Sequence, residues 1–406
     1  MPGGVLTGDG SQGNPYIVMD GYDLNALRTK IVTSSVFPYV ELGADIDMSV
    51  YANFVPLPMS YCNFNGKKHR IYNLNISDGI SSISPSTGLF SILHAGIVKD
   101  IYIDGSVING YTGGSTKVGM LAGTLYVAVA GGKISGIHCS GYVQGRSYNS
   151  AAIGGICGSF TADNIGGNNA IENSSFYGVI GMKGGSASTD LSSMLPTMSG
   201  IAGDLSAYNT AAVTISKCIA QFAAVFEVSG GTTIGITGIA GRLNPTTNGT
   251  VTVERCIAIM EVQIKVLTAI SSSYPINIGG ISANNPTTAG ASINRCAAHV
   301  VLNYDPVSTV DTIRFSGIFS RTYLSGATVP ISMCYAVISI VNPHSMPLPT
   351  TLQVGGISVS SGNTASFYDA DVLTASYSGT VVDAASGRTT AQLKSQTYLE
   401  SQGWVF

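Results

Sequence analysis

Apolar positions recur along this chain in two alternating patterns, and each reads as a strand with side chains on opposite faces. The first is a glycine-rich strand: Val118-Gly-Met-Leu-Ala-Gly, Ile153-Gly-Gly-Ile-Cys-Gly, Met198-Ser-Gly-Ile-Ala-Gly and Ile236-Thr-Gly-Ile-Ala-Gly. It continues as Ile278-Gly-Gly-Ile-Ser-Ala, Phe315-Ser-Gly-Ile-Phe-Ser and Val354-Gly-Gly-Ile-Ser-Val, and Gly88-Leu-Phe-Ser-Ile is its first copy. The second is the frame Thr214-Ile-Ser-Lys-Cys-Ile-Ala, repeated at Thr252-Val-Glu-Arg-Cys-Ile-Ala, Ser292-Ile-Asn-Arg-Cys-Ala-Ala and Pro330-Ile-Ser-Met-Cys-Tyr-Ala. Cys218, Cys256, Cys296 and Cys334 share one position of that frame, 38, 40 and 38 residues apart, and earlier copies carry Ile101, Ile137 and Ser174 there. A fixed period of about 35–45 residues with variable loops predicts a stacked β repeat of seven or eight turns.

Alternation sorts each frame into two faces. Ala220, Phe222 and Ala224 point with Cys218; Ala258, Met260 and Val262 with Cys256; Ala298, Val300 and Leu302 with Cys296; Ala336, Ile338 and Ile340 with Cys334. These rows form the predicted core ladder, stacked at the strand spacing of about 4.8 Å. The opposite rows are also apolar: Ile219, Ile257, Ala297 and Tyr335, then Gln221, Ile259, His299 and Val337. A solvated face does not need that much apolar surface, so the pattern predicts a cover, either the long loops or, preferably, another subunit.

The flanks differ from the repeats. Residues 1–37 read as an N-terminal cap: strand Tyr16-Ile-Val-Met, then a short helix from Asp20 with Leu24, Leu27 and Ile31 on one face. Residues 38–80 form a first irregular coil and residues 81–360 hold the repeats. Residues 361–406 close the chain with strands at Ala365-Ser-Phe-Tyr-Asp and Thr380-Val-Val-Asp, a capped helix at Thr389, and Trp404 as a plug.

Composition agrees with β-structure: 50 glycines among 406 residues, 45% hydrophobic and only 10% charged. A net charge of −3 supplies no field for nucleic acid, and no run is long and apolar enough for membrane insertion. The seven cysteines contain no CxxC pair, which predicts buried thiols over disulfides or metal ligands. No basic, apolar secretion signal is seen at the start, which suggests synthesis in a reducing cytoplasm.

Candidate chemistry is thin. The Gly-Gly-Ile corners lack the Lys-Ser/Thr of a phosphate loop, so their glycines are expected to serve positive φ and close backbone approach. Asp45 and Asp47 could pair on one strand face for acid–base work or Ca²⁺, although turn hydrogen bonds account for them better. For polysaccharide cleavage the acidic candidates are Asp163, Asp204, Glu172, Glu227, Glu254 and Glu261, which share no repeat position apart from isolated coincidences. Lys217, Arg255 and Arg295 align in successive turns as a basic stripe, either a solvated edge or a binding track for an anionic glycan. No cofactor, metal or catalytic residue is assigned.

Three blocks resemble the GLUG-repeat family of β-solenoid surface proteins. They are Gly13-Asn-Pro-Tyr-Ile-Val with Leu24 and Leu27, then Ala44-Asp-Ile-Asp-Met with Phe64-Asn-Gly-Lys-Lys-His-Arg-Ile-Tyr-Asn-Leu, then Thr389-Thr-Ala-Gln-Leu-Lys with Gly403-Trp-Val-Phe. Lys replaces the family's usual second Gly in the middle block. The resemblance implies an all-β, right-handed parallel β-helix with short capping helices at both ends, used for adhesion on bacterial surfaces or phage particles, and no catalytic residues. With no export signal seen, the expectation is a non-enzymatic virion protein, a tail spike, fibre or head decoration. It would be a homotrimer that contacts other virion proteins and host-surface polysaccharide or protein. The alternatives are a polysaccharide depolymerase, a bacterial cell-surface adhesin and a purely structural virion part.

Overall fold

The computed structural model describes residues 4–402 apart from 33–36, 78–84, 112–114, 128–131, 148–150, 164–167, 186–195, 230–232, 247, 267–274, 284–288, 305–311, 321–328, 342–350, 359–362 and 378–379. The chain is mostly β and is built from large parallel sheets, an architecture compatible with a β-helix or solenoid. Among the described residues there are three sheets, of 20, eight and six strands. Every pairing between their strands is parallel and joins one repeat to the next. Ile219↔Ile257 leads to Ile257↔Ala297 and then Ala297↔Tyr335 in the broad sheet. Thr197↔Gly235 and Gly235↔Asn277 follow in the second, and Asp204↔Arg242 in the third.

The core is the ladder expected from alternation. Ala220, Ala258 and Ala336 are fully buried, as are Val262 and Val300, while Phe222 and Met260 retain 4% and 1% exposure. Neighbouring rungs place Phe222 beside Met260 and Met260 beside Val300, so like stacks on like at one strand spacing. All seven cysteines are buried and unpaired. At the ladder position the thiols also satisfy backbone. The Sγ of Cys218, Cys256, Cys296 and Cys334 lies 3.2–3.3 Å from the carbonyl oxygen two residues earlier, within donor range. Ser174 and Ser366 make the same bond with their hydroxyls, whereas Ile101 and Ile137 fill the position in the earlier repeats with apolar side chains alone.

Just before each of these residues the chain turns through left-handed backbone. Asp100, Asn173, Lys217, Arg255, Arg295, Met333 and Ala365 all have φ between 47° and 53°. The Gly-Gly-Ile corners are different. A Cβ on Gly280 would stand 1.9 Å from the Gly317 carbonyl oxygen and 2.5 Å from the Ala298 Cβ, although its φ is not positive. Close approach alone therefore excludes a side chain there, and the small Ala two places after each cysteine belongs to the same contact.

At the N-terminal end Asp20 caps the helix Gly21–Ala26 by accepting from the Tyr22 and Asp23 amides, and Leu24, Leu27 and Ile31 are fully buried. Near the other end the chain departs from expectation. Phe367–Asp369 is a strand, but Asp369 then caps an additional helix, Ala370–Ser376. Val381 makes an isolated parallel bridge to Val354 where a strand was expected. Thr389 and Gln392 form a capping box at the start of the helix Thr390–Leu393, as the sequence indicated. Trp404 lies outside the described residues.

Candidate functional site

Two outward-facing regions collect polar and aromatic side chains. The first lies on the broad sheet. One column there runs Arg70, Tyr102, His138, Ser175, Ile219, Ile257, Ala297, Tyr335. The next runs Asp104, Ser140, Tyr177, Gln221, Ile259, His299, Val337. Tyr102, Tyr177, Ile219, Ile257 and Ile259 are 38–45% exposed, so the described loops leave this face open. Tyr102 and His138 stack at 4.9 Å between ring centroids, and burial of the imidazole lowers the His138 pKa. His138 Nδ1 lies 2.8 Å from the Ser175 hydroxyl. These groups, with Arg70, Tyr177 and Lys217, line a groove of about 670 Å³. Further along, the short C-terminal helices cover the face: Leu393 and Leu399 meet Ala297 and Tyr335 around a cavity of about 420 Å³.

The basic stripe is real as a line but not as a field. Lys217, Arg255 and Arg295 are exposed and occupy the same left-handed corner in successive coils. The corner continues as Asn173, Gly136 and Asp100 on one side and Met333 and Ala365 on the other, so among the described repeats from Asp100 to Ala365 three contribute cations.

The second region lies where the eight-stranded and six-stranded sheets fold against each other. Glycines make the approach possible: a Cβ on Gly203 would stand 2.6 Å from the backbone of Ala152. The Thr197 hydroxyl donates to the Gly203 carbonyl at 2.7 Å across this corner. Polar side chains of the six-stranded sheet are consequently buried, among them Thr124, Ser159, Thr161, Asp204 and Ser206. A cleft of about 310 Å³ opens among them. Arg242 grips Asp204 with two hydrogen bonds, Nε to Oδ1 at 2.8 Å and Nη2 to Oδ2, and the two side chains are only 13% and 9% exposed. Lys117 enters from the facing strand; burial lowers its pKa, partly countered by Asp204 and reinforced by Arg242. Tyr126 borders the cleft and ends a ring stack with His94 and Tyr61, at centroid distances of 4.7 and 4.6 Å.

The remaining acidic candidates do not converge. Glu172 pairs with Lys133 at 3.2 Å, Glu227 sits between Lys265 and Lys183 at 3.2 and 3.9 Å, and Glu261 accepts from Asn303. Glu172 and Glu254 share a column but stand two rungs apart. The side chain of Asp163 lies outside those described. Asp45 accepts the Arg70 amide at 3.0 Å and faces His69, while Asp47 accepts from Ser49 and Asn73. Both serve turns. Among the described residues no group of three His, Cys, Asp or Glu could hold a metal.

Sequence reasoning did not single out Lys117 or Arg242. Their column reads Lys117, Ala152, Thr197, Gly235 on one sheet and Thr124, Ser159, Asp204, Arg242 on the other, without a repeated residue type. No family model and no curated protein matches the chain. Among solved structures it is similar to a putative immunoglobulin A1 protease from Bacteroides ovatus, with 19% identity over 86% of each chain and a TM-score of 0.47.

Proposed function

We propose that this chain is a non-enzymatic surface-display protein, a right-handed parallel β-helix of about seven or eight coils closed at both ends by short helices. In this reading it assembles as a homotrimer and adheres to host-surface glycans. The observation that supports it best is the open outer face of the broad sheet, where exposed Tyr102, Tyr177, Ile219, Ile257 and Ile259 fall in two adjacent columns. The isoleucine columns suit burial by another copy, and the Tyr102–His138 groove suits a sugar ring stacked on aromatic side chains. The scattered carboxylates argue against a glycosidase, which needs two carboxyls within about 5–9.5 Å of each other. Together with the resemblance to GLUG-repeat proteins, this makes a virion spike, fibre or decoration the preferred place, with a bacterial surface adhesin as the alternative.

The test is absolute mass by light scattering after size exclusion, at two concentrations. The expected mass is three times 41.8 kDa, and the double variant Ile257→Asp/Ile259→Asp should run as a monomer. A wild-type protein that is monomeric at both concentrations overturns the assembly reading.

A further inference from the structure

We propose that the cleft between the two smaller sheets is a binding site for one anionic sugar residue, with Lys117 holding its charge. This goes beyond the adhesion reading, because it lies away from the open face of the broad sheet.

The charge count gives the sign of the ligand. Asp204 is already gripped by Arg242, so that pair is close to neutral. Lys117 faces the same space, and among the described residues no carboxylate forms an ion pair with it. Lys117 is half-buried beside that pair, where Asp204 favours its charge and Arg242 opposes it, so an anion entering the cleft meets two cations against one carboxylate. The lining gives the rest of the ligand's character. Ser159, Thr161 and Ser206 line the cleft, with the Ser159 and Thr161 hydroxyls 3.2 Å apart, and Tyr126 and Tyr208 border it. Hydroxyls that both donate and accept match a polyol, and tyrosine rings match the apolar face of a pyranose. The volume of about 310 Å³ lies at the small end of ligand sites, suited to a single sugar unit. The shared requirement is one negative charge on a sugar ring, carried by a carboxylate or a phosphate ester.

Calorimetric titration of the full chain at low salt tests this with galacturonate, N-acetylneuraminate, glucose 6-phosphate, neutral galactose and inorganic phosphate. At least one charged sugar should bind, at least about tenfold more tightly than galactose and than inorganic phosphate. The better of the carboxylate and phosphate sugars identifies the charged group. Lys117→Met should abolish that binding and Lys117→Arg should retain it. Lys117→Met keeps the length and apolar stem of the side chain, so its melting temperature should stay close to that of the wild type, which separates lost binding from lost folding. Tyr102→Ala on the broad sheet should leave the binding unchanged, which separates this site from the adhesion face. The proposal is overturned if no charged sugar binds, if galactose or inorganic phosphate binds equally well, or if Lys117→Met binds like the wild type.

Discussion

The Asp204–Arg242 pair offers a sharp test of how dry the cleft is. Both side chains are nearly buried and doubly hydrogen-bonded. Opposite charges about 4 Å apart attract by roughly 4 kcal/mol at an effective dielectric constant near 20. Removing one partner also strands the other, so a single substitution should cost about 3–5 kcal/mol. The two substitutions are not equivalent. Asp204→Asn leaves Arg242 and Lys117 facing each other as uncompensated cations, whereas Arg242→Gln leaves Asp204 with Lys117 still nearby. Asp204→Asn should therefore be the more damaging, and the double variant should cost less than the sum of the two. Because coils contact mainly their neighbours, global melting would dilute the effect. Hydrogen exchange resolved to Ala202–Tyr208 and Ala240–Pro245 is the appropriate assay, with Tyr335–Val341 as the distant control. Single losses below about 1 kcal/mol, the range of exposed pairs, would refute the claim that the cleft excludes water.

Two further outcomes follow from the core. Met260→Ala removes a rung between Phe222 and Val300 and should cost about 2–5 kcal/mol, read as faster exchange in Ile257–Val266 and its two partner strands. Burial pushes the Cys62 thiol up to about 12 and raises Cys139 and Cys157 as well, so at pH 8 a thiol reagent should label none of the three before unfolding. Rapid labelling of any of them in the folded protein would contradict the burial described.

The repeating part of the fold was legible because each inward position meets its own counterpart one coil away. Cys218, Cys256, Cys296 and Cys334 recur for that reason, and the inward rows after them followed by counting in twos. The sequence also marked the glycine corners, but it offered positive φ and close approach together, and only the second holds at Gly280. The sheet-to-sheet corner was hidden. Buried Ser159, Thr161 and Ser206 look like solvated strand positions until Gly203 brings a second backbone across them. Lys117 could not be found by periodicity, since it comes from a different sheet from Asp204 and neither repeats. The helix Ala370–Ser376 was missed because Asp369 ends a strand and caps that helix at once.

The strict one-coil reach of every strand pairing bears on how the molecule comes to exist. Each strand needs only the segment synthesised about 38 residues earlier, as from Cys218 to Cys256. At translation rates of about 5–20 residues per second, one coil leaves the ribosome every 2–8 s or so. Each completed repeat can then serve as a template for the next while the chain is still being made. A stall leaves the open edges of all three sheets at the growing end, and the nearest strand able to pair with them is the next one of the same chain.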